Sequence, residues 1–280
     1  MNEEKKGTLY ICGTPIGNLE DVSFRLISTL KEADLILAED TRTIRKLLSR
    51  YDIKKKDILS YHQYSDAGKI SYIISLLNKG KTAALVSESG MPAIQDPGYR
   101  IIGECIEKNI SLAIIPGPSA SLSALVLSGL PTDSFIFVGF LPKKGEKRKE
   151  KIVELSGLPY TLIIYESPNR IERLIGELIA RLGNRRAALV REMTKIYEEA
   201  IRGDLGQILE EIRSRKIKGE VVLVIEGSKG ELIKEYTSEE IEKQFIKLIS
   251  QGITKKNALK IIKSAYDIDR QKLYNISTKI

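Results

Sequence analysis

Thr82-Ala-Ala-Leu-Val-Ser-Glu-Ser-Gly-Met-Pro-Ala-Ile-Gln-Asp-Pro-Gly98 is the stretch whose reading decides the fold. Thr82 to Val86 form a short, almost wholly apolar run without polar alternation, as in a strand buried on both faces of a parallel sheet. The following twelve residues, Ser87 to Gly98, hold two prolines, two glycines and two carboxylates, more than a connection needs. From Gly98 to Lys108 apolar residues recur at helical spacing. The same strand, loop and helix order recurs on either side. Leu9-Tyr10-Ile11 precedes Val22 to Lys31, Asp34 to Leu37 precedes Thr41 to Arg50, and Leu112 to Ile115 precedes Ser119 to Leu127. Such alternation predicts an α/β domain with a largely parallel sheet covered on both faces.

Further along, eight of the nine residues from Lys143 to Lys151 are charged, so residues 141–150 read as a linker. Alternation resumes with Thr161 to Tyr165, Pro168 to Leu182, Ala187 to Val190, Leu205 to Arg215 and Val221 to Ile225, a second α/β domain. After Gly230 the strands stop, and Ser238, Thr254 and Asp269 read as caps of three short helices. The expected division is therefore 1–140, 141–230 and a helical appendage at 231–280, on a length of 280 residues that suits about two domains. The appendage alone is too small to hold much of a core.

Composition narrows the function. No apolar run approaches the roughly 18 residues of a membrane span, and the start lacks a signal-peptide pattern. The chain is expected to be cytoplasmic. Cys12 and Cys105 stand alone and there is one His, which argues against a disulfide framework and a zinc site; no metal is expected. The net charge of +8 is unevenly spread. Residues 42–56, 143–151 and 253–280 together carry an excess of 15 positive charges, so the rest of the chain is net acidic. Localised charge suits phosphate contacts, although any one cluster alone reads better as a solubility face. Arg42, Arg45, Lys46, Lys54, Lys55, Lys143, Lys144, Lys147 and Arg148 are the candidate contacts to the phosphates of a nucleic acid. Tyr51, Tyr61 and Tyr64 could stack on bases, though buried tyrosines are the simpler reading.

Loops at strand ends are where open α/β sheets hold ligands. Thr14, Pro15 and Gly17, in the loop Gly13 to Leu19, let backbone approach a ligand closely, a signal no stronger than an ordinary turn. In the decisive loop, a surface turn explains Asp96 and Pro97 as the start of the next helix but leaves Ser87-Glu88-Ser89-Gly90 unexplained. Pro116-Gly-Pro-Ser-Ala120 sets a rigid turn against a helix start. Tyr165-Glu-Ser-Pro-Asn-Arg170 and Arg191-Glu-Met-Thr-Lys195 bring acid and base together at two strand ends. One such cluster is an ordinary surface lattice, whereas two at equivalent places favour a site.

These motifs, with Ala38-Glu-Asp-Thr-Arg42, together resemble the ribosomal small-subunit RNA methyltransferase I family of the tetrapyrrole methylase superfamily, in order from about Gly7 to Glu226. The helical tail resembles the helix-turn-helix-like appendage of many members. The resemblance implies a homodimeric enzyme with two α/β domains and S-adenosylmethionine in the cleft between them. It would methylate the ribose 2′-oxygen of a cytidine in the decoding region of small-subunit (16S) rRNA, free or in the assembled 30S subunit. By position, Glu88, Gly90, Met91, Ser119 and Ala120 would line the donor, joined by Thr14, Pro15, Gly17, Tyr165 and Glu166. Relatives that methylate small rings or proteins have Gly-Asp-Pro where this chain has Ser87-Glu88-Ser89.

Methyl transfer to a ribose hydroxyl needs alignment and help with deprotonation. His62 is a weak candidate, since a loop His among aromatics is usually structural. A lysine lowered in pKa or a carboxylate acting electrostatically would serve, from among Lys195, Glu192, Asp40 and Glu88. The group Arg191, Glu192 and Lys195 with Glu198 is favoured, with no single base assigned. Two alternatives stand beside this reading. A tetrapyrrole or protein methyltransferase would need an acceptor pocket rather than basic faces. A non-catalytic nucleic-acid-binding protein would leave the loop motifs unexplained.

Overall fold

The computed structural model describes residues 6–54, 56–62, 67–215, 217–229, 238–250 and 254–266. The chain separates into two compact units, Met1–Lys229 and Gly230–Ile280.

The first unit begins with β1 (Thr8–Cys12), α1 (Phe24–Glu32), β2 (Leu35–Ala38), α2 (Thr41–Arg50), β3 (Asp57–Ser60), α3 (Ala67–Asn78), β4 (Ala83–Val86), α4 (Tyr99–Glu107), β5 (Ser111–Ile115) and α5 (Ala120–Ser128). Its five strands form an all-parallel sheet in the order β3-β2-β4-β1-β5. The strands read as unbroken apolar runs because both faces are covered. Leu9, Leu37 and Leu85 pack against Ile73 and Leu77 of α3 and Ile101 of α4. Ile36, Ala84 and Val86 face the other way, onto Leu26 and Leu30 of α1 and Leu47 of α2. Side chains that alternate between two buried faces leave no polar register.

A second five-stranded sheet follows: β6 (Phe135–Phe140), α6 (Glu146–Ser156), β7 (Thr161–Glu166), α7 (Ile171–Leu182), β8 (Arg186–Arg191), β9 (Glu199–Asp204), α8 (Leu205–Ser214) and β10 (Val221–Ile225). The order is β6-β7-β10-β8-β9. Helices α6, α7 and α8 cover one face through Leu155, Leu174, Leu178 and Ile208, while Ala124 and Leu125 of α5 cover the other, against Ile163, Val190 and Val224.

Three features of this part go beyond the alternation of strands and helices seen in the sequence. The second sheet is mixed: β10 runs antiparallel to both β7 and β8, and β8 to β9. No helix lies between β8 and β9, so they pair as antiparallel neighbours rather than through a crossover. The expected boundary after residue 140 does not coincide with a change of sheet, because β6 pairs with β7. The second half of the stretch read as a linker, residues 146–150, is the start of α6.

In the unit Gly230–Ile280, α9 (Ser238–Ser250) and α10 (Lys255–Tyr266) pack through Ile241, Phe245, Ala258 and Ile262. The helix expected from Asp269, Lys55 and Tyr64 lie outside the described residues. Among the described residues no helix is long and apolar enough to cross a membrane.

Candidate active site

Parallel pairing aligns the C-terminal ends of β1, β4 and β5, so the loops that follow them emerge on one edge. On the second sheet, Val221 pairs with Glu166 on one side and Arg191 on the other, which brings the ends of β7 and β8 beside the start of β10. The two groups of loops enclose a cavity of about 870 Å³.

Its walls differ in chemistry. Glu88, Ser89, Gly90, Met91, Asp96, Gly117 and Ser119 come from the first sheet's loops. Phe137, Phe140, Tyr165, Met193 and Val222 form an apolar wall from the second, in which Tyr165 meets Phe137 and Phe140 edge to face at 5.0 and 5.5 Å. Among the described residues, four carboxylates line the space (Glu88, Asp96, Glu166, Glu220) and no Lys or Arg does.

Glycines allow the loops to meet. A Cβ on Gly117 would lie 2.6 Å from the backbone of Gly13, and one on Gly13 2.7 Å from Gly117. Thr14 is tied to Gly90 by two backbone hydrogen bonds, 2.9 Å from its own N–H and 3.1 Å from that of Gly90. Gly17 lets the first loop touch Thr194 and Lys195, and the Asn18 N–H donates to Thr194 Oγ1 at 2.9 Å.

Of the expected donor residues, Glu88, Gly90, Met91, Ser119, Ala120, Tyr165 and Glu166 line the cavity. Thr14, Pro15 and Gly17 do not; Ile16 lines it from that loop, and Thr14 and Gly17 brace the loops behind. Glu166, 4% exposed, spends its carboxylate on the Ser167 N–H (2.8 Å), Arg170 (2.7 Å) and Arg148 (3.5 Å).

The expected catalytic group forms an ion-pair lattice rather than cavity wall. Lys195 Nζ donates to Glu192 Oε1 at 3.0 Å and Glu220 Oε2 at 3.2 Å, while Arg191 pairs with Glu199 at 2.6 Å. Glu198 accepts from the Thr194 N–H at 2.6 Å. Partial burial pulls the Lys195 pKa down, but the bonds to Glu192 and Glu220 outweigh it and hold the ammonium above the ordinary lysine range. That is the opposite of what a lysine base requires. Glu192, held by Lys195, lies below its usual range. Asp40 caps α2: its carboxylate accepts from the Arg42 N–H at 2.7 Å and pairs with the Arg42 guanidinium, which lowers its pKa to about 2. His62 bonds Ser60 Oγ at 2.6 Å and does not line the cavity.

Arg148 is also corrected. It is 3% exposed and bonded to Glu177 (2.6 Å) and the Pro142 carbonyl (3.0 Å), so it is a structural ion rather than an RNA contact. Arg42, Arg45, Lys46, Lys54, Lys143, Lys144 and Lys147 are exposed. Tyr61 is buried and Tyr51 donates to the Leu19 carbonyl at 2.6 Å, so stacking on a base is not where the structure uses them.

Sequence reasoning missed Asp96. Burial, with Glu39 and Glu88 nearby, pushes its carboxyl up to about 6. Glu88 is raised too, by burial and by the neighbouring charges of Glu39, Asp40 and Glu220. Its position before a proline at a helix start concealed Asp96, because a cap is a sufficient explanation in sequence.

Two facing α/β halves, with a cavity where strand ends converge, are the fold of methyltransferases of the tetrapyrrole methylase type. Residues 8–209 match the family described as Tetrapyrrole (Corrin/Porphyrin) Methylases. Diphthine synthase shares the fold at a TM-score of 0.63 and 16% identity, over 79% of this chain and 90% of its own. The Thermus thermophilus uroporphyrin-III C-methyltransferase complexed with S-adenosyl homocysteine does so at 0.55 and 18%, over 82% and 100%. "Ribosomal RNA small subunit methyltransferase I" of Halalkalibacterium halodurans is 42% identical over 99% of this chain and 96% of its own length. The Thermotoga maritima protein of that name is 42% identical over 79% and 99%. The chain belongs to the ribosomal RNA small subunit methyltransferase I family, whose methyl donor is S-adenosylmethionine.

The cavity suits that donor. A cationic sulfonium is favoured by the exposed Glu88 carboxylate and by a lining that holds no Lys or Arg among the described residues, and an apolar wall accepts the flat adenosine.

Proposed function

We propose that this chain methylates the ribose 2′-oxygen of a cytidine in the decoding region of small-subunit rRNA, as a cytoplasmic homodimer acting on the rRNA or the assembled 30S subunit. The observation that carries the reading is the cavity, lined among the described residues by four carboxylates and no Lys or Arg, in a chain whose full-length relatives are named for small-subunit rRNA methylation.

S-adenosylmethionine supplies an electrophilic methyl group on sulfur. Gly90 and Met91 on one side and Gly117, Ser119 and Ala120 on the other would hold it, with Tyr165 and Phe140 against its flat parts. The loops at Gly13 and Gly117 fix the backbone that lines it. With donor and acceptor seated, the cavity's apolar wall would keep bulk water from the reacting atoms, which would strengthen each charge interaction inside. Outside the cavity, Arg45, Lys46 and Lys54 on and after α2, and Lys143, Lys144 and Lys147 at the start of α6, offer exposed cations to phosphates. Those faces favour RNA over a tetrapyrrole or a protein acceptor.

The test is to incubate the protein and labelled donor with assembled small subunits, free rRNA and a tetrapyrrole, then locate the label. Label on ribose of the small subunit or its rRNA is expected. Label on the tetrapyrrole, or none on any RNA form, would overturn the reading.

A further inference from the structure

The loop around Asp96 is held in an unfavourable shape. Ala93 and Gln95 have φ of +67° and +65°, in the left-handed region that non-glycine residues seldom adopt. The Ala93 N–H closes the turn onto the Pro97 carbonyl at 3.3 Å. The Gln95 carboxamide crosses to the second sheet and fills the space a side chain at Gly139 would take, at the bulge in β6 between Phe137 and Gly139. Strain of this kind persists where surrounding structure enforces it, and it gathers at functional sites.

The other cavity carboxylates are committed elsewhere. Glu166 is bonded to Arg170 and Arg148, and Glu220 to Lys195. Glu88 is exposed, with the Arg42 charge nearby. Asp96 is more enclosed, and among the described residues the charges that act on it are those of Glu39 and Glu88.

We propose that Asp96 accepts the proton of the acceptor ribose hydroxyl, and that Gln95, seated over Gly139, positions it. This rests on the ribose-methylation reading above. The hydroxyl O–H bond breaks toward an Asp96 carboxylate oxygen. The same hydroxyl oxygen forms its bond to the methyl carbon, while the carbon–sulfur bond breaks and sulfur keeps the electron pair. One positive charge on sulfur and one negative charge on Asp96 disappear together, and the carboxyl later returns its proton to water. A carboxyl that titrates near 6, facing Glu39, Glu88 and Tyr165, stays mostly ionised at neutral pH and is a stronger base than an ordinary aspartate.

Three measurements test this. Calorimetry should give Asp96→Asn a donor affinity within about threefold of the unsubstituted protein, with kcat on small subunits reduced about 100-fold or more. A carboxyl-carbon NMR titration of the unsubstituted protein should place Asp96 near 6, matching an acid limb in its kcat profile. In Gln95→Ala both should move together, with donor affinity kept. The proposal is overturned if Asp96→Asn keeps kcat, if it loses donor affinity as much as rate, or if Asp96 titrates near 4. Failure of the unsubstituted protein to label ribose at all would instead remove the reading on which the proposal rests, whatever Asp96 titrates at.

Discussion

Arg148 shows how a charge changes meaning with its face of a helix. In sequence it belongs to a run of cations that reads as a phosphate track. In the fold it lies on the same side of α6 as Ile152 and Leu155, four and seven residues on, and bridges Glu166 and Glu177. The spacing was present in the sequence, but a charged stretch taken as a linker hides helical periodicity. Removing a buried ion leaves its partner uncompensated, so Arg148→Ala should destabilise the protein by about 3–5 kcal/mol, read by denaturant unfolding. Lys147→Ala, at an exposed neighbour, should leave stability within about 0.5 kcal/mol. Asp96 carries the opposite sign. Its folded pKa of about 6 exceeds the unfolded value of about 3.9, so the native state holds its proton more tightly. Its contribution to stability is greatest below pH 4 and is lost as pH rises through 6. Asp96→Asn should therefore raise the thermal midpoint at pH 7.5, by an amount on the order of 1–2 kcal/mol in stability, and change it little at pH 4. An unchanged midpoint at both pH values would contradict the assigned environment.

At the scale of elements, legibility followed burial. Strands β1, β4, β7 and β10 stood out because both faces are covered, leaving unbroken apolar runs. Strand β9, Glu199–Asp204, buries only Ile201 at the edge of its sheet, and nothing in its pattern announces a strand. Strand β6 did carry a signal in Phe135-Ile-Phe-Val, and so did α3 in the spacing of Ile70, Ile73, Ile74 and Leu77. The donor loops were visible through their glycines, whereas acid beside base at Glu192 and Lys195 looks alike in sequence whether it forms an ion-pair lattice or a reacting group. The sharpest test among the elements is Gly117→Ala. The new Cβ would meet Gly13 backbone at 2.6 Å and one loop must shift, so donor affinity should fall at least tenfold by calorimetry. Retained affinity would show that these loops do not shape the donor site.

For the whole molecule, both sheets and the cavity fall within Met1–Lys229. A chain ending at Lys229 should keep a cooperative thermal transition and donor affinity. If the helical segment contacts phosphates, its loss should flatten the dependence of RNA affinity on salt, since each lost contact removes roughly 0.7 from the logarithmic slope on single strands. An unchanged slope would assign the phosphate contacts to α2 and α6. The central claim is that the carboxylate-lined cavity directs a methyl group to one ribose oxygen of RNA. Small subunits lacking this modification should be treated with protein and donor, their RNA digested to nucleosides and fragments, and the products weighed by mass spectrometry. A single 2′-O-methylcytidine within the decoding region is the predicted result, and a methyl group on a base, on ribose elsewhere or nowhere in the RNA would contradict it.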